Sequence, residues 1–203
     1  MGGSPYYVMH QKVLGVCGAL EAAGVPYAIG GAIVIAYCTE PRATVDIDVN
    51  VFLDEERASR ALDALRDAGI PFDYEKVRSR TERDGQARFN WDGTFVDLFF
   101  MNVPFHGESA SRVRRVPFGD AEINILACED LVVYKAMFNR PRDWVDIESI
   151  VHGMGAAFDA SYARGWLVAM VGEQDERVKA FDTILAEALA AEAEDGGIPS
   201  DDE

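Results

Sequence analysis

The sequence predicts an α+β (α/β) chain, in which a mixed β-sheet flanked by helices is followed by a helical C-terminal region. Three observations lead there. Val45 to Phe52 alternates apolar and polar residues with the period of two that marks a half-buried strand. Asp92-Gly93 separates two β-rich stretches, and this dipeptide accepts the positive φ angles of a tight hairpin turn. After Leu126 the alternation stops and the apolar residues take helical spacing. A boundary near residue 127 therefore gives a core over 1–126 and a helical region over 127–194. The acidic stretch over 195–203 is expected to be a disordered tail.

Taken in order, Val8 to Ala23 reads as a helix with Val13, Val16, Cys17 and Leu20 on one face and Gly24 as its stop. Pro26 to Gly30 is a short strand. Gly30-Gly31 turns into a helix over Ala32 to Cys38 that is apolar nearly all round, hence buried. Pro41 breaks it, and the alternating strand follows. Asp54 suits the N-cap of a helix running to Asp67, with Leu62 and Leu65 inward and Gly69 past its end.

Residues 72–77 read as a weak strand and Thr81 to Gly85 as a polar loop. Gln86 to Trp91 and Thr94 to Met101 form the hairpin around Asp92-Gly93. Arg112 to Phe118 and Glu122 to Leu126 form another near Gly119-Asp120. Helices follow over Glu129–Asn139, Arg142–Val151, Ala160–Val171 and Asp175–Glu194.

At 203 residues, 49% hydrophobic and 27% charged, the chain has the composition of an ordinary soluble protein with ample length for a core. No run approaches the roughly 18–20 apolar residues of a membrane span. The N-terminus has no basic segment followed by an apolar block, so no secretory signal is expected and the chain is read as cytoplasmic. Cys17, Cys38 and Cys128 are scattered in apolar contexts and read as reduced core thiols, neither a disulfide frame nor a zinc site. The net charge is −16, and from Glu173 onward eleven acidic residues stand against Arg177 and Lys179. Such acidity argues against broad, non-specific nucleic-acid binding while leaving a local RNA contact, a cationic small molecule or a basic protein open.

The chemistry-bearing residues start on the alternating strand. Asp46, Asp48 and Asn50 share one face, and Val45, Ile47, Val49 and Val51 the other. Same-face neighbours on a strand lie roughly 6.5–7 Å apart, close enough for two carboxylates to favour a cation between them. An all-oxygen cluster of this kind suits a hard ion, Mg²⁺ above all. A plain solvent-facing strand fits an isolated Asp-x-Asp too. A calcium loop does not, because Val51 and Arg57 stand where the turn glycine and the bidentate glutamate belong.

Asp97 is the only charge in the apolar strand Thr94 to Met101 and must be paired, capped or metal-bound. If its strand adjoins that of Asp46, three carboxylates can serve two divalent ions. Gly30-Gly31, between strand and helix, suits either a phosphate approached by backbone amides or a simple tight turn. Lys135 is a lone charge in an apolar helix. Either its amine snorkels to water or it points at a bound polyphosphate. Arg140, Arg142, Asp143 and Asp146 follow, with an ion-pair cluster capping two helices as the plain alternative.

Gly30-Gly31, ten residues, then Arg42-x-Thr44-x-Asp46-x-Asp48 resembles the signature of the DNA polymerase β-like nucleotidyltransferase superfamily, and Asp97 matches its third carboxylate. Lys135-x4-Arg140-x-Arg142-Asp143-x-x-Asp146 is similar to the helical motif of the branch containing abortive-infection toxins of type IV toxin–antitoxin systems and related small transferases. The resemblance runs from about Tyr27 to Ile150. Where the superfamily often has serine after the first glycine, this chain has Gly31.

The resemblance implies a nucleotidyltransferase fold and transfer of NMP from a nucleoside triphosphate to a hydroxyl of RNA, protein or a small molecule. It implies two Mg²⁺ ions, with Mn²⁺ as the alternative, held by Asp46, Asp48 and Asp97. Gly30, Gly31, Arg42, Thr44 and Lys135 would hold the triphosphate, joined by Arg140, Asp143 and Asp146 on the nucleotide side. An antitoxin protein is an implied partner. A drug-modifying enzyme and a non-catalytic nucleotide-sensing or partner-binding module are the rival readings.

Overall fold

The alternating stretch is the middle of the molecule's sheet. In the computed structural model, which describes residues 5–101 and 103–195, it becomes β2 (Asp46–Asp54). Before it come α1 (Pro5–Ala22), β1 (Tyr27–Ile29) and α2 (Gly31–Ile35). After it come a 3₁₀ turn (Glu55–Arg57), α3 (Ala58–Asp67), α4 (Tyr74–Asp84), β3 (Gln86–Trp91), β4 (Thr94–Met101), α5 (Pro104–Ser111), β5 (Arg114–Phe118) and β6 (Ala121–Ile125). The strands lie in the order β3-β4-β2-β1-β6-β5. β2 runs parallel to β4 and β1 parallel to β6, whereas β1/β2, β3/β4 and β5/β6 are antiparallel. The predicted mixed sheet flanked by helices is the observed fold.

Alternation decides which face is core. Ile47, Val49, Val51, Val96 and Leu98 are fully buried, and Phe100 nearly so. The opposite face carries Asp46, Asp48 and Asn50 on β2 and Asp97 on β4, in line with the period of two. Asp92 and Gly93 take φ of 46° and 84°, as a two-residue hairpin turn requires.

Several boundaries moved for identifiable reasons. The strand expected over 72–77 and the loop expected over Thr81 to Gly85 give way to α4, which takes Tyr74 to Asp84 with Asp73 and Gly85 as its caps. Asp73 caps it by accepting the Lys76 amide at 3.2 Å, and Val77 and Thr81, one turn apart, are its only buried side chains. The rest of the helix is charged and held partly by pairs such as Arg78–Glu75 at 2.8 Å, so its apolar period was too thin to read. Asp54 caps the 3₁₀ turn that precedes α3, accepting the Arg57 amide at 3.0 Å. Helix α5 was not anticipated; Pro104 opens it and Phe105 anchors it with no exposure.

The chain packs as two compact units. One comprises the chain through Val34 with Arg42–Ala127, and the other Ile35–Pro41 with the chain from Cys128 on. The second unit contains α6 (Cys128–Phe138), α7 (Pro141–Met154), a 3₁₀ turn (Gly155–Ala157), α8 (Ala160–Val171) and α9 (Glu176–Asp195). Helix α6 packs against α7 and α8, and α9 against α7 and α8. Phe181, Ile147 and Ile150 are fully buried there. The expected disordered tail lies outside the described residues beyond Asp195.

Two cysteines correct the thiol reading. Cys38 and Cys128 form a disulfide with Cα atoms 5.9 Å apart, because residues 35–41 pack with the helical unit. Cys17 alone among the three is free and buried, and burial pushes its thiol up to about 11. Among the described residues no helix is long and apolar enough to cross a membrane.

Candidate active site

The polar face of the sheet is organised in rows. Parallel pairing sets Asp48 on β2 opposite Asp97 on β4, and the hairpin sets Asp97 opposite Arg88 on β3. The adjacent row on the same face is Asp46, Phe95 and Asn90. The structure thus brings Asp46, Asp48 and Asp97 onto one face of two neighbouring strands.

Arg88 decides how that face is charged. Its Nε and Nη2 donate to Asp97 Oδ1 and Oδ2 at 2.7 and 2.6 Å, a bidentate bridge. The same Nη2 lies 3.9 Å from Asp46 Oδ2. The Asp97 side chain is 12% exposed and that of Arg88 50%, so a sheltered carboxylate is held by a guanidinium reaching in from solvent. The hydrogen bonds to Asp97 raise Arg88 above its ordinary pKa. The guanidinium also lies 5.0 Å from the centroid of Phe95.

Sequence reasoning missed Arg88, yet the signal was present. Counting back from the two-residue Asp92-Gly93 turn pairs Trp91 with Thr94 and arrives at Arg88 opposite Asp97.

At the other side of β2 the Gly30-Gly31 turn closes on the strand. The Gly30 amide donates to the Asp48 carbonyl oxygen at 2.8 Å, so this N–H extends the sheet and is engaged. A Cβ on Gly30 would stand 2.8 Å from Asn50 Nδ2. Gly31 takes φ of +59°, and a Cβ there would run into Asp48 Oδ2. Both glycines are required by how closely the turn approaches β2. Thr44 Oγ1 accepts the Asp46 amide at 3.1 Å, setting the entry to the strand. Arg42 is exposed, just before that entry.

Lys12, also missed, supports the hairpin from α1. Its buried ammonium donates to the carbonyls of Trp91 and Asp92 at 2.6 and 3.0 Å and to Thr94 Oγ1 at 3.1 Å. The end of the hairpin that carries Asp97 is thereby pinned.

The second unit holds the other predicted cluster. Lys135 is 6% exposed and does not snorkel. Its Nζ lies 2.5 Å from Asp146 Oδ2 and 3.5 Å from Asp143 Oδ1. Asp143 has no exposure and also accepts Arg140 Nε at 2.6 Å and the Arg140 amide at 3.3 Å, tying down the first turn of α7. Burial alone would raise the Asp143 carboxyl. The Arg140 hydrogen bonds and the Lys135 charge outweigh it and hold the group below its usual value. Arg142 is exposed on α7.

The donor set on the sheet fits a hard divalent ion in its chemistry: carboxylate oxygens only, two of them directly opposed in register. With Asp97 turned to Arg88, no group of three or more His, Cys, Asp or Glu residues converges on one point among the described residues.

A family model described as "Nucleotidyl transferase of unknown function (DUF2204)" matches residues 9–183. The chain belongs to this nucleotidyl transferase family. No curated protein matches it. Among solved structures, the solution structure of the antibiotic-resistance factor ANT(2'')-Ia matches with a TM-score of 0.52 at 14% identity, over 94% of this chain and 97% of that one. JHP933 from Helicobacter pylori matches with a TM-score of 0.48 at 14% identity, over 95% of this chain and 94% of that one. At such identity the ANT(2'')-Ia likeness speaks for the fold alone, which is nucleotidyltransferase-like.

Proposed function

We propose that the chain is a divalent-metal-dependent nucleotidyltransferase that moves NMP from a nucleoside triphosphate to an acceptor hydroxyl. The observation that carries this reading is the register pairing of Asp48 with Asp97 on parallel strands, with Asp46 on the same face. Asp46 and Asp48 would hold the ion, and Asp97 would complete the set. A bound divalent ion supplies charge neutralisation at the attacking and leaving oxygens. Asp97 would also accept the proton lost by the acceptor hydroxyl. Gly31 and Arg42 are the proposed contacts to the triphosphate, and Thr44 holds the entry of β2 in place for them. Most of the rate enhancement would come from positioning and charge stabilisation.

For Lys135, Asp143 and Asp146 the reading is a positioning role. The buried ammonium and its two carboxylates lock α6 to α7.

Asp46→Ala should abolish transfer of labelled NMP while changing the melting temperature little, since the Asp46 side chain is part-exposed and makes no close ion pair. Undiminished transfer by Asp46→Ala would refute the mechanism. Expression in a bacterial host sorts the acceptor: growth arrest favours the toxin reading with its antitoxin partner, and drug resistance favours a small-molecule acceptor.

A second reading has one observation in its favour. Arg88 already occupies both oxygens of Asp97, as it would in a module that binds a nucleotide or partner without catalysis. Metal-dependent nucleotide binding with no product would select that alternative.

A further inference from the structure

Two features of Arg88 do not fit a purely architectural salt bridge. It takes both oxygens of the least exposed carboxylate on the polar face, yet its own side chain stays half in solvent. It also sits on β3, the edge of the sheet, which pairs with β4 alone. Rotation about its side-chain torsions can therefore withdraw the guanidinium without breaking any strand ladder.

We propose that Arg88 is a resident counter-cation that competes with a divalent ion for Asp97, closing the third carboxylate until an ion displaces it. The proposal rests on the metal-dependent reading above. Asp97 is 8% exposed, and a carboxylate so sheltered is costly to leave without a cation. A guanidinium spanning both oxygens covers the directions from which a metal would be chelated. Since Nη2 is also 3.9 Å from Asp46, an ion shared by the two carboxylates would meet a positive charge at close range. Arginine and ion therefore exclude one another. The exchange is reversible because the guanidinium never leaves water completely. Nearby, Phe95 is 39% exposed and offers its ring to the guanidinium face. Ion affinity in the absence of nucleotide is set low by a residue of the chain itself.

The test measures Mn²⁺ binding to the full chain without nucleotide, by calorimetry and by the electron paramagnetic resonance of unbound Mn²⁺. Arg88→Gln should bind Mn²⁺ about tenfold more tightly or better, since a unit charge beside the site is removed. Arg88→Lys keeps the charge and should stay near the original affinity. The double variant Arg88→Gln with Asp97→Asn should lose the gain. Melting curves by circular dichroism confirm that each variant folds. Binding by Arg88→Gln that is absent or no tighter than in the original chain overturns the proposal.

The transfer assay reads the parent proposal separately. Asp46-dependent transfer with unchanged Mn²⁺ affinity in Arg88→Gln removes only the exchange. Tightened, Asp97-dependent Mn²⁺ binding with no transfer upholds the exchange and removes only the enzyme.

Discussion

Gly31 and the Asp48 carboxylate share one small volume. With φ at +59°, any Cβ on residue 31 would run into Asp48 Oδ2. Left-handed backbone at a non-glycine residue costs about 1–3 kcal/mol before any clash is counted. Gly31→Ser, the residue the superfamily often carries here, should therefore destabilise the chain by at least ~1 kcal/mol in urea unfolding. It should also reduce NMP transfer by shifting Asp48. A Gly31→Ser protein with unchanged stability and transfer would mean that the Asp48 side chain is placed otherwise.

The buried Lys135–Asp146 pair is expected to be costly to halve and cheap to remove. Lys135→Met leaves Asp146 sheltered without its ammonium and should cost about 3–5 kcal/mol. Replacing both, as Lys135→Met with Asp146→Leu, should recover most of that loss, since well-packed apolar pairs substitute for buried ion pairs. A double-mutant cycle in urea measures the coupling. Additive losses would show that the two groups do not depend on each other.

Acid sensitivity should be traceable to Asp143. Its carboxyl is held below the ordinary value, so its contribution to stability is complete above about pH 4, the unfolded-state value. That contribution is lost as pH falls through the lower folded-state value. Asp143→Asn should lower the melting temperature at neutral pH and flatten its decline below about pH 4. Parallel curves for the two proteins would contradict the assignment.

Reduction should weaken the helical unit. The Cys38–Cys128 bridge spans a sequence separation of 90, and closing a loop of that size is worth about 4–5 kcal/mol in the chain-entropy view. Melting temperature should fall on adding a phosphine reductant and fall equally in Cys38→Ser. The third thiol gives a further readout. Cys17 is buried and its pKa raised, so iodoacetamide at pH 8 should label nothing in the native, unreduced chain and one cysteine after unfolding. Three labelled cysteines in unreduced, unfolded protein would mean that the bridge does not form.

Local pattern carried much of the fold. The polar and apolar faces of β2 follow from a period of two, and the Asp92-Gly93 turn set the β3–β4 hairpin. Helix α8 has the predicted limits, with Asp159 capping its start by accepting the Tyr162 amide at 3.0 Å and Gly172 following its end. Helix α4 was misread because only Val77 and Thr81 are buried in it, too few to display a period. Glycine's role was half legible. Gly30-Gly31 announced a tight approach, but that the Gly30 amide is committed to the Asp48 carbonyl could be known only once the strands were paired.

What the sequence by itself determined is the inventory: a carboxylate pair on one strand face, a third in an apolar strand, a glycine turn and a two-residue hairpin. Those are properties of near neighbours in the chain, governed by backbone period and turn chemistry. Tertiary structure alone decided partnership. It set Asp97 beside Asp48, joined Cys38 to Cys128 and withdrew Lys135 from water. The physical reason is that charge pairing and disulfide formation depend on distance in space. Crossover connections and helix packing set that distance, and the spacing of residues along the chain leaves it open.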